Sequence, residues 1–344
     1  MWGMCGGCVA RLGCLPCAAV AATVVGHSEG TQPMSVTVRV PATSANLGAG
    51  YDCLGIALAR HVRVTAIPGS PTGGIRVRTT GHGARRVATG DDNLVWSALL
   101  EFCQHHEVAA PDVTLQVHND IPLARGLGSS SSAIVAGLMV ARALTDVEVG
   151  TAQLVELATR MEGHPDNVAP ALMGGFVAGG VGTDGTTVVR HAQPTPALQP
   201  VVAIPAVEQL TSAARAMVPD RVDRADVITQ VGRGAHVTGA VVGAWPLDVR
   251  LSGDVMHEPA RLPHMEVTAA VLAAWRDAGV FSWLSGAGPT AAALVDANPA
   301  ATAHAVDVAT RTLADFAVAL AGDDGAHEVV ALDWDLGGAV VEST

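Results

Sequence analysis

The stretch Ile121–Leu144, IPLARGLGSSSSAIVAGLMVARAL, constrains this chain more than any other. A proline and a short polar loop lead through Gly126, Leu127 and Gly128 into four serines, Ser129 to Ser132. An apolar, alanine-rich run with helical character follows. The segment before it, Val113 to His118, alternates as a half-buried strand does. Strand, glycine–serine loop and helix therefore come in that order. Glycine lets a backbone turn tightly and lie against a ligand, and serine caps helix starts. A helix start behind such a loop is an anion site, usually for phosphate. The competing reading is a flexible Ser/Gly linker, which the helix-forming run immediately after it argues against.

All 20 basic residues are arginine. A Walker-type loop needs its lysine on the β- and γ-phosphates, so that architecture is excluded, and so is lysine Schiff-base chemistry. A phosphate here must be held by backbone N–H groups, serine hydroxyls, arginines and a metal ion. The net charge of −12 and the lack of an arginine cluster argue against nucleic acid or an anionic membrane as partner. The 344 residues, 49% hydrophobic, suit two domains with packed cores.

Pro122 to Ala133, PLARGLGSSSSA, resembles the ATP-phosphate loop of the GHMP kinase superfamily, whose Pro-x-x-x-Gly-Leu-Gly-Ser-Ser pattern is met at Pro122, Gly126, Leu127, Gly128, Ser129 and Ser130. Five further motifs agree in order. Pro41 to Gly55, PATSANLGAGYDCLG, follows an alternating strand at Val36–Val40 and resembles the homoserine kinase form of the first motif, with Ala49 where that family often has proline. Glu162 to Pro170, EGHPDNVAP, follows an amphipathic helix expected over 151–162. Thr211 to Pro219, TSAARAMVP, resembles T-S-K-A-R-A-x-L-P with Ala213 in place of lysine, and Asp254 to Arg261 matches D-x-x-H-E-P-x-R. Leu284 to Thr290, LSGAGPT, resembles the third GHMP motif, which packs beside the phosphate loop in the family.

The resemblance implies an α+β GHMP kinase fold: an N-terminal mixed α/β domain, like ribosomal protein S5 domain 2, over 34–190, and a C-terminal ferredoxin-like domain over 191–344. It implies a cytoplasmic, ATP- and Mg²⁺-dependent kinase that phosphorylates the hydroxyl of L-homoserine in threonine biosynthesis. Another small alcohol or a non-catalytic nucleotide-binding role are the alternatives. Dimers are common in the family, though the sequence does not show one. ATP would lie along Pro122, Leu123, Ala124, Arg125, Gly126, Leu127, Gly128 and Ser129 to Ser132. Asn93 would lie near the adenine, or would simply cap the helix that opens there. Mg²⁺ would sit between Ser130 and Glu156, because Glu156, eleven residues before Asn167, has the family's spacing; Glu162 is the less favoured choice. Asp52 would take the acceptor's ammonium. Arg215 and Arg261 would take its carboxylate, for which a planar guanidinium fork is suited. Asn46, His164, Asn167 and Thr211 would place it or its hydroxyl. Mevalonate kinase-like relatives carry an aspartate, proposed as general base, at the position of Asn167. An amide cannot take a proton at neutral pH, so this variant is expected to work without a side-chain base.

Residues 1–33 read differently. Cys5-x-x-Cys8 and Cys14-x-x-Cys17 are separated by five residues, whereas two-CxxC zinc sites use a spacer of roughly 15–20. The apolar run Leu15–Val25 is too short to span a bilayer and has only Arg11 as a basic flank for an export signal. A disordered extension before Met34 is the expectation. The stretch 181–200, polar and rich in Gly, Thr and Pro, is the expected domain junction.

Overall fold

A computed structural model of the chain describes residues 35–71, 73, 75–209, 211–316 and 327–342, with the side chains of 211–213 not among them. The cysteine pairs and the expected extension of residues 1–33 lie outside the described residues.

The chain begins with a long antiparallel hairpin, β1 (Val36–Asn46) and β2 (Gly50–Pro68). Register shifts at Pro41/Ala42 and Ala45/Asn46 bend it, as bulges do next to functional sites. Next come β3 (Val77–Gly81), α1 (Leu94–His105), β4 (Val113–Asn119) and α2 (Ser129–Leu144). They are followed by α3 (Thr151–Glu162), α4 (Pro165–Met173), β5 (Phe176–Val181) and β6 (Thr187–Ala192). The first sheet runs β11 (Val340–Glu342), β1, β2, β4, β3, with β5 on the far part of β2 and β6 on β5. Only the β3–β4 pair in it is parallel. Helix α2 is buried almost all round from Ile134 to Ala141, which explains why its sequence is apolar on every face. Gly137 lets α1 cross it closely: a Cβ there would lie 2.2 Å from the carbonyl oxygen of Val95.

The second sheet contains β7 (Leu198–Ile204), β8 (Phe281–Leu284), β9 (Ala291–Asp296) and β10 (Glu328–Ala331) in the order β10-β7-β9-β8, all antiparallel. Between β7 and β8 lie α5 (Thr211–Ala216), α6 (Arg224–Val241), α7 (Glu258–Arg261) and α8 (Glu266–Asp277); α9 (Pro299–Ala314) joins β9 to β10. This is the β-α-β-β-α-β order of a ferredoxin-like sheet. Side chains alternate across a strand. Val202, Ile204, Trp283, Ala292 and Leu294 pack into the core of the first sheet. Val201, Ala203, Leu284, Ala293 and Val295 form a second core with α8 and α9. Burial on both faces accounts for the unbroken apolar runs in β7 and β9.

From Ser35 on, the chain forms one compact unit. The passage between the sheets falls between β6 and β7, at 193–197. The polar stretch before it is β6, whose side chains alternate between half-buried and exposed. The last strand, β11 (Val340–Glu342), returns to pair with β1.

Candidate active site

Gly128 opens α2 with φ of +67°. A Cβ on it would lie 1.9 Å from Thr43 Oγ1, so conformation and space both demand glycine. Thr43 fastens the loop from below: its N–H donates to the Leu127 carbonyl at 3.1 Å, and its hydroxyl donates to Asn167 Oδ1 at 2.7 Å. The β8–β9 loop fastens it from the other side. Trp283 Nε1 donates to Ser44 Oγ at 3.2 Å, Ser44 to Ser285 Oγ at 2.7 Å, and Ser285 to the Gly126 carbonyl at 2.6 Å. Each hydroxyl in this chain both accepts and donates, which orders the whole set. The first turn of α2 carries no acidic side chain, and its opening N–H groups lack intrahelical partners. Ser129, Ser130 and Ser131 line a cavity of about 430 Å³.

One part of the cavity wall is apolar, with Val62, Val87, Leu94, Val117 and Leu123. The polar part holds Asn46, Asp52, His164, Asp166, Asn167, Arg215 and Arg261. Asn46 and Asp52 sit at the hairpin tip with φ of +76° and +56°, a strained region for non-glycine residues that marks functional sites. Asn46 Nδ2 donates to the Gly286 carbonyl at 2.9 Å, while its Oδ1 accepts the Asp52 N–H at 3.3 Å. Arg215 grips the Asp52 carboxylate with two hydrogen bonds of 2.9 Å each. Arg261 is buried; its Nε donates to the Ala214 carbonyl at 3.0 Å and its Nη1 to the Gly286 carbonyl at 3.2 Å.

His164 Nδ1 is hydrogen-bonded to Asp166 Oδ1. Burial pulls the imidazole's pKa down, but the Asp166 hydrogen bond and charge, with Asp52 nearby, reverse this and hold it above the ordinary histidine value. Ser130 and Ser131 both donate to Glu162 Oε1, at 2.8 and 2.9 Å. Two hydroxyls and a carboxylate at a helix start are the hard oxygen donors that suit Mg²⁺ beside phosphate.

Residues 93–175 match the GHMP kinases N terminal domain. The chain is 40% identical over 269 residues to a homoserine kinase of Nostoc punctiforme, covering 76% of this chain and 86% of that one. It is 42% identical to a homoserine kinase of Synechococcus, with the same coverage. The chain belongs to the homoserine kinase family. The crystal structure of homoserine kinase from Cytophaga hutchinsonii superposes with a TM-score of 0.74 at 25% identity, over 92% of this chain and all (100%) of that one. The α+β GHMP kinase fold and the assignment as a kinase follow from these likenesses.

The homoserine kinase motifs converge on one cavity, with exceptions. Glu156 is not part of it. Its Oε2 accepts the Thr187 N–H at 3.1 Å, and Glu162 stands against Ser130 instead. On an α-helix six residues correspond to about 240° of rotation, so the two glutamates project from different sides of α3, and of the two only Glu162 lines the cavity. Ser132 also turns away; its hydroxyl donates to the Pro41 carbonyl at 2.7 Å. Pro122 and Leu127 are buried under the loop and do not line the cavity. Asn93 lines the cavity, but its amide is engaged as the α1 cap: Oδ1 accepts the Val95 N–H at 3.0 Å and Nδ2 donates to the Ala88 carbonyl at 2.7 Å. Arg125 lines the cavity, but its guanidinium is held by the Ala206 carbonyl at 2.8 Å. The side chain of Thr211 lies outside the described residues. Sequence reasoning did not single out Tyr51, Thr43 or Asp166, although all three lie inside the quoted motifs.

Proposed function

We propose that the chain transfers the γ-phosphoryl group of ATP to the side-chain hydroxyl of L-homoserine, giving ADP and O-phospho-L-homoserine for threonine biosynthesis in the cytoplasm. The observation that carries this reading is a single cavity joining a lysine-free helix start to one carboxylate and two guanidinium groups, Asp52, Arg215 and Arg261. The first suits a polyphosphate; the second suits a small zwitterion.

ATP would enter with its base against the apolar wall and its phosphates on the N–H groups of Gly128 to Ser131. Ser130 and Glu162 would hold Mg²⁺, which when bound supplies neutralisation of phosphate charge. Homoserine's ammonium would displace Arg215 from Asp52, leaving Arg215 with Arg261 to take its carboxylate. Thr43 already occupies Asn167 Oδ1, so Asn167 turns its N–H₂ edge to the reactants and can donate to phosphoryl or hydroxyl oxygen. His164, whose pKa Asp166 raises, donates in the same way when protonated. In that state none of these groups accepts a proton. That is compatible with a loose transition state in which alignment and charge neutralisation do most of the catalysis.

ADP release from Mg-ATP by the full chain, with L-homoserine, mevalonate, galactose or no acceptor, tests the reading. Turnover with homoserine alone is expected; turnover only with another acceptor overturns the substrate, and none with any acceptor overturns the activity.

A further inference from the structure

His257 is fully buried at the start of α7 and does not line the cavity, yet it touches two residues that do. Its ring stacks on Tyr51, with centroids 5.0 Å apart and planes 29° from parallel. Its Nδ1 lies 3.3 Å from Arg261 Nη1. Tyr51 in turn lies under the guanidinium, 5.3 Å from its centre, with its hydroxyl 3.5 Å from Nη2. The backbone carbonyls of Ala214 and Gly286 take Nε and a hydrogen of Nη1, so the imidazole and the phenol ring complete the cradle around Arg261, which lines the cavity.

Guanidinium has donors only. The Nη1 contact therefore requires Nδ1 of His257 to be the lone-pair nitrogen and places the ring proton on Nε2. That atom is buried 3.8 Å from Asp254 Oδ2, with the Gly48 backbone beside the ring. Asp254 itself is committed: one oxygen caps the N–H groups of Met256, His257 and Glu258, and the other accepts from Gln230. Glu258 is likewise held, by Arg276 and by the Leu284 N–H. With the ring proton turned to that side, the Nδ1 lone pair is left for Arg261.

We propose that His257 is a positioning residue for acceptor recognition: as the neutral Nε2–H tautomer it fixes the Arg261 guanidinium so that the substrate carboxylate meets a preset fork. The inference rests on the homoserine reading above. An arginine held at one angle discriminates for a carboxylate, whereas a loosely held one spends part of its interaction on ordering. The effect belongs to the carboxylate alone, and leaves phosphoryl transfer itself untouched.

The test compares homoserine with 3-amino-1-propanol, which keeps the hydroxyl and ammonium and lacks the carboxylate. In His257→Leu, KM for homoserine is expected to rise about tenfold, the size of one good polar contact, with kcat and the ATP KM within about twofold. The preference in kcat/KM for homoserine over the amine is expected to shrink by the same factor. His257→Asn, which can return an acceptor near the Nδ1 position, is expected to recover most of it. If the leucine variant is folded and keeps the wild-type preference, the proposal is overturned. If it does not fold, equal preferences in His257→Asn and His257→Gln, whose acceptor is displaced by one methylene, overturn it. Wild-type enzyme that ignores homoserine would defeat the substrate reading instead, and is recognised in the same assay before any variant is compared.

Discussion

Arg215 and Asp52, 163 residues apart in the chain, meet across the cavity through two parallel N–H···O bonds of 2.9 Å. One comes from α5 of the second half and the other from the tip of the first hairpin. The resemblance assigned them opposite ends of the same substrate. Each therefore stands where the substrate group of its own sign is proposed to bind, and an arriving zwitterion would exchange one ion pair for two.

Asp52→Asn is expected to raise the homoserine KM at least tenfold, about 1.4 kcal/mol, while barely moving thermal stability. The pair is partly exposed, 43% at Arg215 and 28% at Asp52, and such ion pairs contribute only about 0–1 kcal/mol to folding. Steady-state kinetics beside a melting curve reads both. An unchanged KM would show that Asp52 does not meet the ammonium.

Glu162→Gln is expected to weaken Mg²⁺ dependence by roughly 10–100-fold, because Glu162 and not Glu156 stands at Ser130. Glu156→Gln loses only its contact to the Thr187 N–H and should keep the wild-type Mg²⁺ titration. The reverse result would return the site to Glu156.

Gly128→Ala forces a left-handed backbone on an L-residue, about 1–2 kcal/mol by itself, and drives its Cβ into Thr43 Oγ1. Relief would break the Thr43–Asn167 bond. Lower stability and a raised ATP KM are expected together. A Gly128→Ala enzyme with wild-type ATP KM would remove the loop from phosphate binding.

The raised pKa of His164 has a definite sign in stability. Burial lowers it and the Asp166 hydrogen bond and charge overcome that, so the folded chain binds this proton more tightly than the unfolded one. The resulting stabilisation is complete below the unfolded value of about 6.5 and is lost as pH rises through the folded value above it. Urea unfolding of wild type and Asp166→Asn across that range should show the difference shrinking upward from pH 6.5. A difference that grows with pH would mean Asp166 acts on some other group.

Local pattern was enough for much of this. The strand at Val113, the helix over 151–162 and the loop before α2 declare themselves by period, glycine and serine, because these depend on neighbours in the chain. One boundary lies elsewhere for a physical reason. Asn46 continues β1 beyond the expected loop because the strand bulges rather than ends. Glycines at 232, 234 and 239 lie inside α6, which nonetheless forms over Arg224–Val241. Tertiary packing there overrides propensity.

The sequence by itself determined that any phosphate must be bound without lysine, and to which family of folds the chain belongs, since composition and contiguous motifs are one-dimensional facts. Only the tertiary structure decided which glutamate faces Ser130, that Arg215 and Asp52 share one another's charge, and that His257 stands behind Arg261. Each of these depends on the direction of a side chain across elements far apart in the chain, and that direction is set by how helices and strands pack, not by the order of the letters.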